Sequence, residues 1–496
     1  MLARWWHSPT LNGLWLATGL SAIWAIAAVL PLTPHDLWFH LRLGKQMVET
    51  HALVLTDTFS YTQFGHAYFS NGWLGDVLLF EMWNMGGAPS LVLVRAICVT
   101  LFYALFGWLA WRASGNERLS AAWMLIGALA SFPHWQMRTQ TLVLPLFALF
   151  VWILTRDLKN ENAPLYLLPL LMILWVNLHG TFVLGGLLMS LAWLGRLAAR
   201  APLRRMTIWS GATCAAVLVN PLGLGILNTV SEIGQDSSIQ SWVLEWLPPS
   251  VREFPAGVFY FLITALLVGL MYSRTRVTAT QLFWAIAFIW LGWMAYRNVL
   301  WSAAMLAPIL AVQWNDMACQ AQTRVAGLAE KRWFQLLFQP RPMGAIRITV
   351  FVALAALTIG TTPQLRAMFG INDLRAWVSS DTPVAVVDLM RAQNMQGRIF
   401  HEIGAGSYLL WALHPQQVFV DSRISLYPAA QWREYFAVTN ASDGFETILA
   451  KYQIEYVLVD EFWQPQLLSA LESRPRRWEL LFQDGESYLF RRLAID

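Results

Sequence analysis

The sequence predicts an α-helical polytopic membrane protein that ends in a small α/β domain. Three observations carry this expectation. Of its 496 residues 57% are hydrophobic and 13% charged, about half the charge of an ordinary soluble domain. The apolar residues gather into runs close to the ~20 needed to cross a bilayer. From about Thr361 onward those runs stop, and short helical and strand patterns alternate. Mean hydropathy is +0.45. With 28 Trp and 27 Phe, the composition suits lipid boundaries and aromatic belts. It excludes a soluble enzyme, a disordered chain and a nucleic-acid binder; the net charge of +4 is what cytoplasmic Lys and Arg would leave.

The first span covers Leu11 to Leu32, behind the basic Met1–His7 segment. Its exit, Leu30-Pro31-Leu32-Thr33, has no small-residue cleavage pattern, so it reads as a retained anchor. Further runs lie near 89–111, 119–135, 139–155, 163–178, 180–196, 206–222, 255–272, 278–296, 298–315 and 345–362, about eleven spans in all. The stretch 71–87 carries Asp76, Glu81 and Asn84 and ends in Gly86-Gly87, so it is expected as a juxtamembrane helix. Charge bias supports this choice. Arg196, Arg200, Arg204, Arg205, Arg274, Arg276, Arg324, Lys331, Arg332 and Arg341 then fall in cytoplasmic connectors, whereas the outer ones hold only Arg42, Lys45, Arg138, Arg252 and Arg297. An odd number of spans from a cytoplasmic N-terminus places the C-terminal domain outside.

The division expected is therefore a transmembrane part, 1–362, with a long first extracytoplasmic loop, 33–88, and an extracytoplasmic α/β domain, 363–496. In the latter, Arg398–Ile403, Gln417–Asp421 and Tyr456–Asp460 read as strands and Tyr408–Leu413 as a short helix. Trp478–Phe482 and Ser487–Phe490 flank an Asp484-Gly485 hairpin turn. Cys98, Cys214 and Cys319 have neither pairing nor metal-ligand spacing.

The unusual polar residues collect at the outer ends of the spans, among them Asp36, His40, His134, Arg138, Gln140, Asn177, His179, Asp236, Glu245 and Arg297. Charge at membrane depth is costly unless paired or facing a wet cavity, so it marks function by default. Asp36 directly follows the first span and reads either as a general base or as the N-cap of helix Leu37–Thr50. His40 shares its face one turn on and suits an anion or the orientation of a carboxylate. Arg138 and Arg297 offer the fixed bidentate donors a phosphate needs, or snorkel to headgroups; Lys45 adds a point charge. His179, in the hairpin Asn177-Leu178-His179-Gly180, is a phosphate contact or a turn residue. Asp57 by itself is a turn former. Trp38 and Trp73 suit stacking on a sugar or an aromatic belt.

These residues resemble the GT-C superfamily of polytopic glycosyltransferases, which use polyprenyl-phosphate-linked sugars and include the protein O-mannosyltransferases and the lipid A aminoarabinose transferase. More narrowly the chain is similar to a bacterial group of that kind. The resemblance rests on Asp36-Leu37-Trp38-Phe39-His40-Leu41-x-x-Gly44, Asp57-Thr58-Phe59-Ser60-Tyr61-Thr62, Trp73-Leu74 and Arg138-x-Gln140. It continues in Trp175-Val176-Asn177-Leu178-His179-Gly180, Asn220-Pro221-x-Gly223 and Glu245-Trp246-x-x-Pro249. In the C-terminal domain it takes in Gly404-x-Gly406-Ser407-Tyr408-Leu409 and Val420-Asp421-Ser422-Arg423. Each motif is short; their order and common sidedness carry the weight.

The resemblance implies a GT-C-like fold and a first-loop acid as catalytic base, which maps onto Asp36. The candidate site is then Asp36 as base, with His40, Lys45, Asp57, Arg138, Asn177, His179, Glu245 and Arg297 binding substrate. It implies transfer of a sugar from a polyprenyl-phosphate donor to an extracytoplasmic glycan, lipid or protein acceptor, with membrane lipid around the site and no nucleic acid. Many members carry two adjacent acids where this chain has His35-Asp36, which leaves a divalent cation open and names no metal ligand. Two rival readings are a transporter or flippase for a lipid-linked substrate and a scaffold of an envelope assembly. Convergence of Asp36, Arg138 and Arg297 on one cavity is the feature that discriminates against both.

Overall fold

The computed structural model describes residues 12–159, 161–235, 243–325, 327–332, 334–335 and 346–493. The basic Met1–His7 segment, Asp236 and Arg341 lie outside them. The helical part opens with α1 (Asn12–Val29), α2 (Asp36–Thr50), α3 (Trp73–Ser114) and α4 (Glu117–Ser131). It continues through α5 (Thr139–Leu142), α6 (Leu144–Leu158), α7 (Leu167–Leu178), α8 (Val183–Ala198), α9 (Arg204–Ala216) and α10 (Gly225–Gln235). After these come α11 (Ala256–Tyr272), α12 (Ala279–Met294), α13 (Val299–Arg324) and α14 (Ile346–Gly360). Among the described residues three helical stretches, Trp73–Ser114, Thr139–Leu158 and Gly180–Ala198, are long and apolar enough to cross a membrane. Leu14–Val29, Leu167–Leu178, Ala256–Tyr272, Ala279–Met294 and Thr349–Gly360 are apolar but shorter.

The helix expected at 71–87 ends where Gly86-Gly87 predicted: α3 is two helices joined across a kink at these glycines. The bend has a local cause. Gly86 and Gly87 leave helical geometry, with Gly87 at φ +62° and ψ −148°, a conformation open to glycine alone at little cost. Pro89 follows and cannot donate to the ladder. Arg95, inside the apolar run 89–111, serves structure. From α3 it donates to the carbonyls of Ala27 (3.0 Å), Pro31 (3.2 Å) and Leu30. It thereby satisfies carbonyl groups left open at the end of α1.

The chain leaving α1 is strapped on its other side by the C-terminal region. Leu32 donates to the Trp377 carbonyl and accepts from Ser379 N, both at 2.8 Å. Beyond it, α2 lies against α3 so closely that a Cβ on Gly44 would stand 2.1 Å from the Asp76 carbonyl oxygen; only glycine fits there.

The C-terminal region contains α15 (Pro363–Met368), α16 (Val384–Ala392), β1 (Arg398–His401), α17 (Ile403–Ala412) and α18 (Ala429–Thr439). Then come α19 (Phe445–Lys451), β2 (Ile454–Asp460), α20 (Pro465–Glu472), β3 (Trp478–Asp484) and β4 (Ser487–Arg492). The sheet order is β1-β2-β4-β3. β1 runs parallel to β2, and the β3–β4 hairpin turns at Gly485. The strand expected at Gln417–Asp421 is absent from this sheet. That segment is buried and extended but pairs with the first loop instead, through a Ser60–Val418 bridge. Leu37, Trp38, Leu41 and Met47 of α2 share one core with Trp377, Val387, Leu409 and Leu489, so the first loop and the C-terminal region bury their apolar surfaces together.

Candidate active site

Asp36 is the first residue of α2 rather than its N-cap. That position falls to His35, which makes no side-chain capping bond. The Asp36 carboxylate is instead held by Arg138, Nη1 to Oδ2 at 3.2 Å. Arg138 precedes the short α5 in extended conformation and forks onto Glu245, at 3.1 Å from Nη1 and 3.0 Å from Nη2. Glu245 sits in a one-turn 3₁₀ helix, Leu244–Trp246. Its Oε1 also receives Arg297 at 3.1 Å. Arg297 donates in turn to Gln140 Oε1 at 3.0 Å and lies 4.8 Å over the Trp246 ring. Asp36, Arg138, Glu245 and Arg297 thus form one connected cluster with Gln140 and Trp246 beside it.

The arginines stay charged for identifiable reasons. Burial acts to lower the Arg138 guanidinium, but the Glu245 and Asp36 carboxylates more than offset it and hold it above its ordinary value. Burial would raise the Glu245 carboxyl, yet Arg138 and Arg297 hold it well below the usual carboxylate range. Arg297 is lowered by burial, with Glu245 opposing.

His179 joins the edge of this field. Its Nδ1 accepts from Thr181 N at 3.1 Å, capping the 3₁₀ turn Gly180–Phe182. Burial and then the Arg297 and Arg138 charges keep its imidazole well below the ordinary value. Asn177 is a brace. Its Nδ2 donates to the Ile173 and Val219 carbonyls and its Oδ1 accepts from Trp73 Nε1, each at 2.8 Å. Together with Trp73, Leu170, Leu174, Leu218 and Pro221 it lines an open, mainly apolar groove of about 540 Å³.

Three expected site residues lie apart from the arginine cluster. His40 is buried and pairs with Asp76, Nδ1 to Oδ1 at 2.5 Å. Lys45 is partly exposed, 3.8 Å from Glu49 and 5.8 Å over the Trp411 ring. Asp57 is fully buried, binding Arg423 at 2.8 Å and accepting from Phe59 N and Ser60 N. Trp38 is unavailable to a sugar: it is buried against Trp83 and Tyr408. Sequence reasoning passed over Asp76 as the partner of His40 and Arg423 as the partner of Asp57. Neither pairing has a local signal, since the partners come from different elements. Among the described residues no group of three or more His, Cys, Asp or Glu is placed to hold a metal ion.

The arrangement joins two carboxylates, Asp36 and Glu245, to two guanidinium groups, and Asn177 lines a mainly apolar groove. Compared with solved structures, the chain is similar to the archaeal oligosaccharyltransferase AglB from Archaeoglobus fulgidus in complex with an inhibitory peptide and a dolichol-phosphate. The TM-score is 0.57 at 12% identity, over 93% of this chain and 72% of that one. The two share a fold. The apo form of the same oligosaccharyltransferase matches with a TM-score of 0.55 at 12% identity, over 93% and 70%. ArnT from Cupriavidus metallidurans bound to undecaprenyl phosphate aligns over 97% and 98% at 14% identity, with a TM-score of 0.48. No family model and no curated protein sequence matches the chain. The GT-C likeness is therefore one of fold.

Proposed function

We propose that the chain is an integral-membrane glycosyltransferase that moves a sugar from a polyprenyl-phosphate donor to an extracytoplasmic glycan, lipid or protein acceptor. The observation that carries this reading is the contact of Asp36 with Arg138 in a cluster that also holds Arg297. A transporter or a scaffold has no need of a base beside paired phosphate donors. In this reading about eleven helices span the plasma membrane, with the N-terminus cytoplasmic. The parts are 1–362 in the membrane and 363–496 outside.

The reaction is a single displacement. Asp36 takes the proton of the acceptor hydroxyl or amine; the acceptor atom bonds to the anomeric carbon as the C1–O bond to phosphate breaks, inverting that carbon. The electron pair leaves on the lipid phosphate. Arg138 and Arg297 meet the charge that develops there, so the protein supplies mainly position and electrostatic stabilisation. The groove beside Trp73 and Pro221 holds the first isoprene units.

The test is transfer of radiolabelled sugar in native-lipid membranes from a broad panel of polyprenyl-phosphate sugars, with EDTA in a parallel series. Asp36→Asn is expected to lose roughly 10²–10⁴-fold in rate at unchanged expression. Equal transfer by both proteins would reject Asp36 as the base.

A further inference from the structure

Two guanidinium groups converge on one carboxylate in this site. Arg138 and Arg297 together direct three nitrogen atoms at Glu245, all within 3.1 Å. Such a fork-on-fork arrangement matches the oxygens of a phosphate as well as those of a carboxylate. The turn that carries Glu245 is tied by backbone bonds and by Trp246 against Arg297, yet it lies at the surface. Leu244–Trp246 has no buried residue, and Leu244 is 63% exposed. Glu245 itself reaches inward from that surface turn, its side chain 27% exposed against 8% for Arg138. The cluster Asp36, Glu245, Arg138 and Arg297 is charge-neutral as it stands, so a phosphate entering it would face two carboxylates already in place.

We infer that Glu245 is an internal occupant of the phosphate seat, exchanging with the phosphate of the lipid carrier during each catalytic cycle. This rests on the transferase reading above. In the ligand-free site Glu245 satisfies both arginines. When a lipid-linked phosphate takes the arginines, Glu245 turns out toward solvent. Arg138, now engaged with phosphate, loosens its grip on Asp36, which becomes free to accept a proton. After transfer, the return of Glu245 competes with the polyprenyl phosphate product and helps to expel it. An occupant of this kind lowers apparent affinity by the fraction of protein in which the seat is filled.

The test measures binding of undecaprenyl phosphate to the full chain in lipid nanodiscs, with undecaprenol as the phosphate-free control. Glu245→Gln is expected to bind undecaprenyl phosphate roughly tenfold more tightly than wild type and undecaprenol no differently. A purely structural Glu245 predicts the opposite, since losing it would leave the arginines misplaced. A second measurement uses the wild-type chain alone. Carbodiimide labelling of the Glu245 carboxyl, read by mass spectrometry, is expected to rise when undecaprenyl phosphate is added and to stay level with undecaprenol. Unchanged or weaker binding by Glu245→Gln, or labelling that does not rise, overturns the exchange while leaving the transferase reading intact. No binding by wild type overturns both.

Discussion

Arg138 serves two carboxylates at once, and its side chain is only 8% exposed. Lysine at this position would keep the charge but lose the fork. Arg138→Lys is therefore expected to weaken undecaprenyl phosphate binding about tenfold or more, by the loss of a charge-assisted hydrogen bond of about 1.5–3 kcal/mol. Equilibrium binding in nanodiscs checks it, and unchanged affinity would mean the lipid phosphate sits elsewhere. Asp36, Arg138, Glu245 and Arg297 were legible in the sequence because a charge at the outer end of an apolar run is rare and expensive. Asp57 and Asn177, also expected in the site, sit among long-range structural partners, and Lys45 pairs with Glu49 on its own helix. Nothing near Asp57 announces Arg423, and nothing near Asn177 announces Trp73 Nε1, since such contacts exist only after the chain has folded.

At the scale of elements, the bent helix Trp73–Ser114 and the loop helix Asp36–Thr50 set the position of the site. Their closest approach is at Gly44, where a Cβ would collide with the Asp76 backbone. Overpacking of this kind costs about 1–3 kcal/mol, so Gly44→Val is expected to lower the unfolding temperature in detergent by several degrees and to disturb the His40–Asp76 pair beside it. An unshifted melting curve would deny that the two helices touch there. Periodicity made β1, β2, the C-terminal hairpin and many apolar helices legible. It failed at Gln417–Asp421, because a buried extended segment carries the same alternation whether it joins a sheet or, as here, a single loop residue. The break after 71–87 was legible, because Gly-Gly followed by Pro cannot continue a regular helix, and the helix does break there.

Across the whole molecule, the first loop and the C-terminal region are locked by a buried ion triad. Arg423 is 1% exposed in its side chain and bonds Asp57 at 2.8 Å and Asp421 at 2.6 Å. Removing one partner of such a group leaves uncompensated buried charge, so Arg423→Ala is expected to destabilise the protein by about 3–5 kcal/mol, read as a lower midpoint in thermal unfolding. His401 adds a pH dependence. Its Nε2 accepts from Phe419 N at 3.0 Å, which requires the neutral ring. Burial pushes the imidazole down to about 4, against the opposing Glu402 carbonyl and Asp421. A depressed histidine contributes stability above its unfolded value, near 6.5, and loses it as pH falls through about 4. His401→Gln, which keeps an acceptor for Phe419 N, is expected to flatten the decline of melting temperature over that window. An identical slope would assign the decline to other groups.

The strap at Leu32 and the lock at Asp57 also impose a timetable on biogenesis. The loop that bears Asp36 leaves the ribosome before the helical part that follows it, yet the segments that fix it, Trp377–Ser379 and Asp421–Arg423, are made only after that part. Until they have been made, Trp38 lacks Tyr408 and the face of α2 lacks the part of its core that Trp377, Val387 and Leu409 supply, and the nascent chain is a target for quality control. A protein stopped after residue 362 should turn over faster than the full chain in a pulse-chase, and equal half-lives would show that the loop matures alone. The loop that bears Asp36 would thus reach its final position only after the C-terminal region has folded onto it.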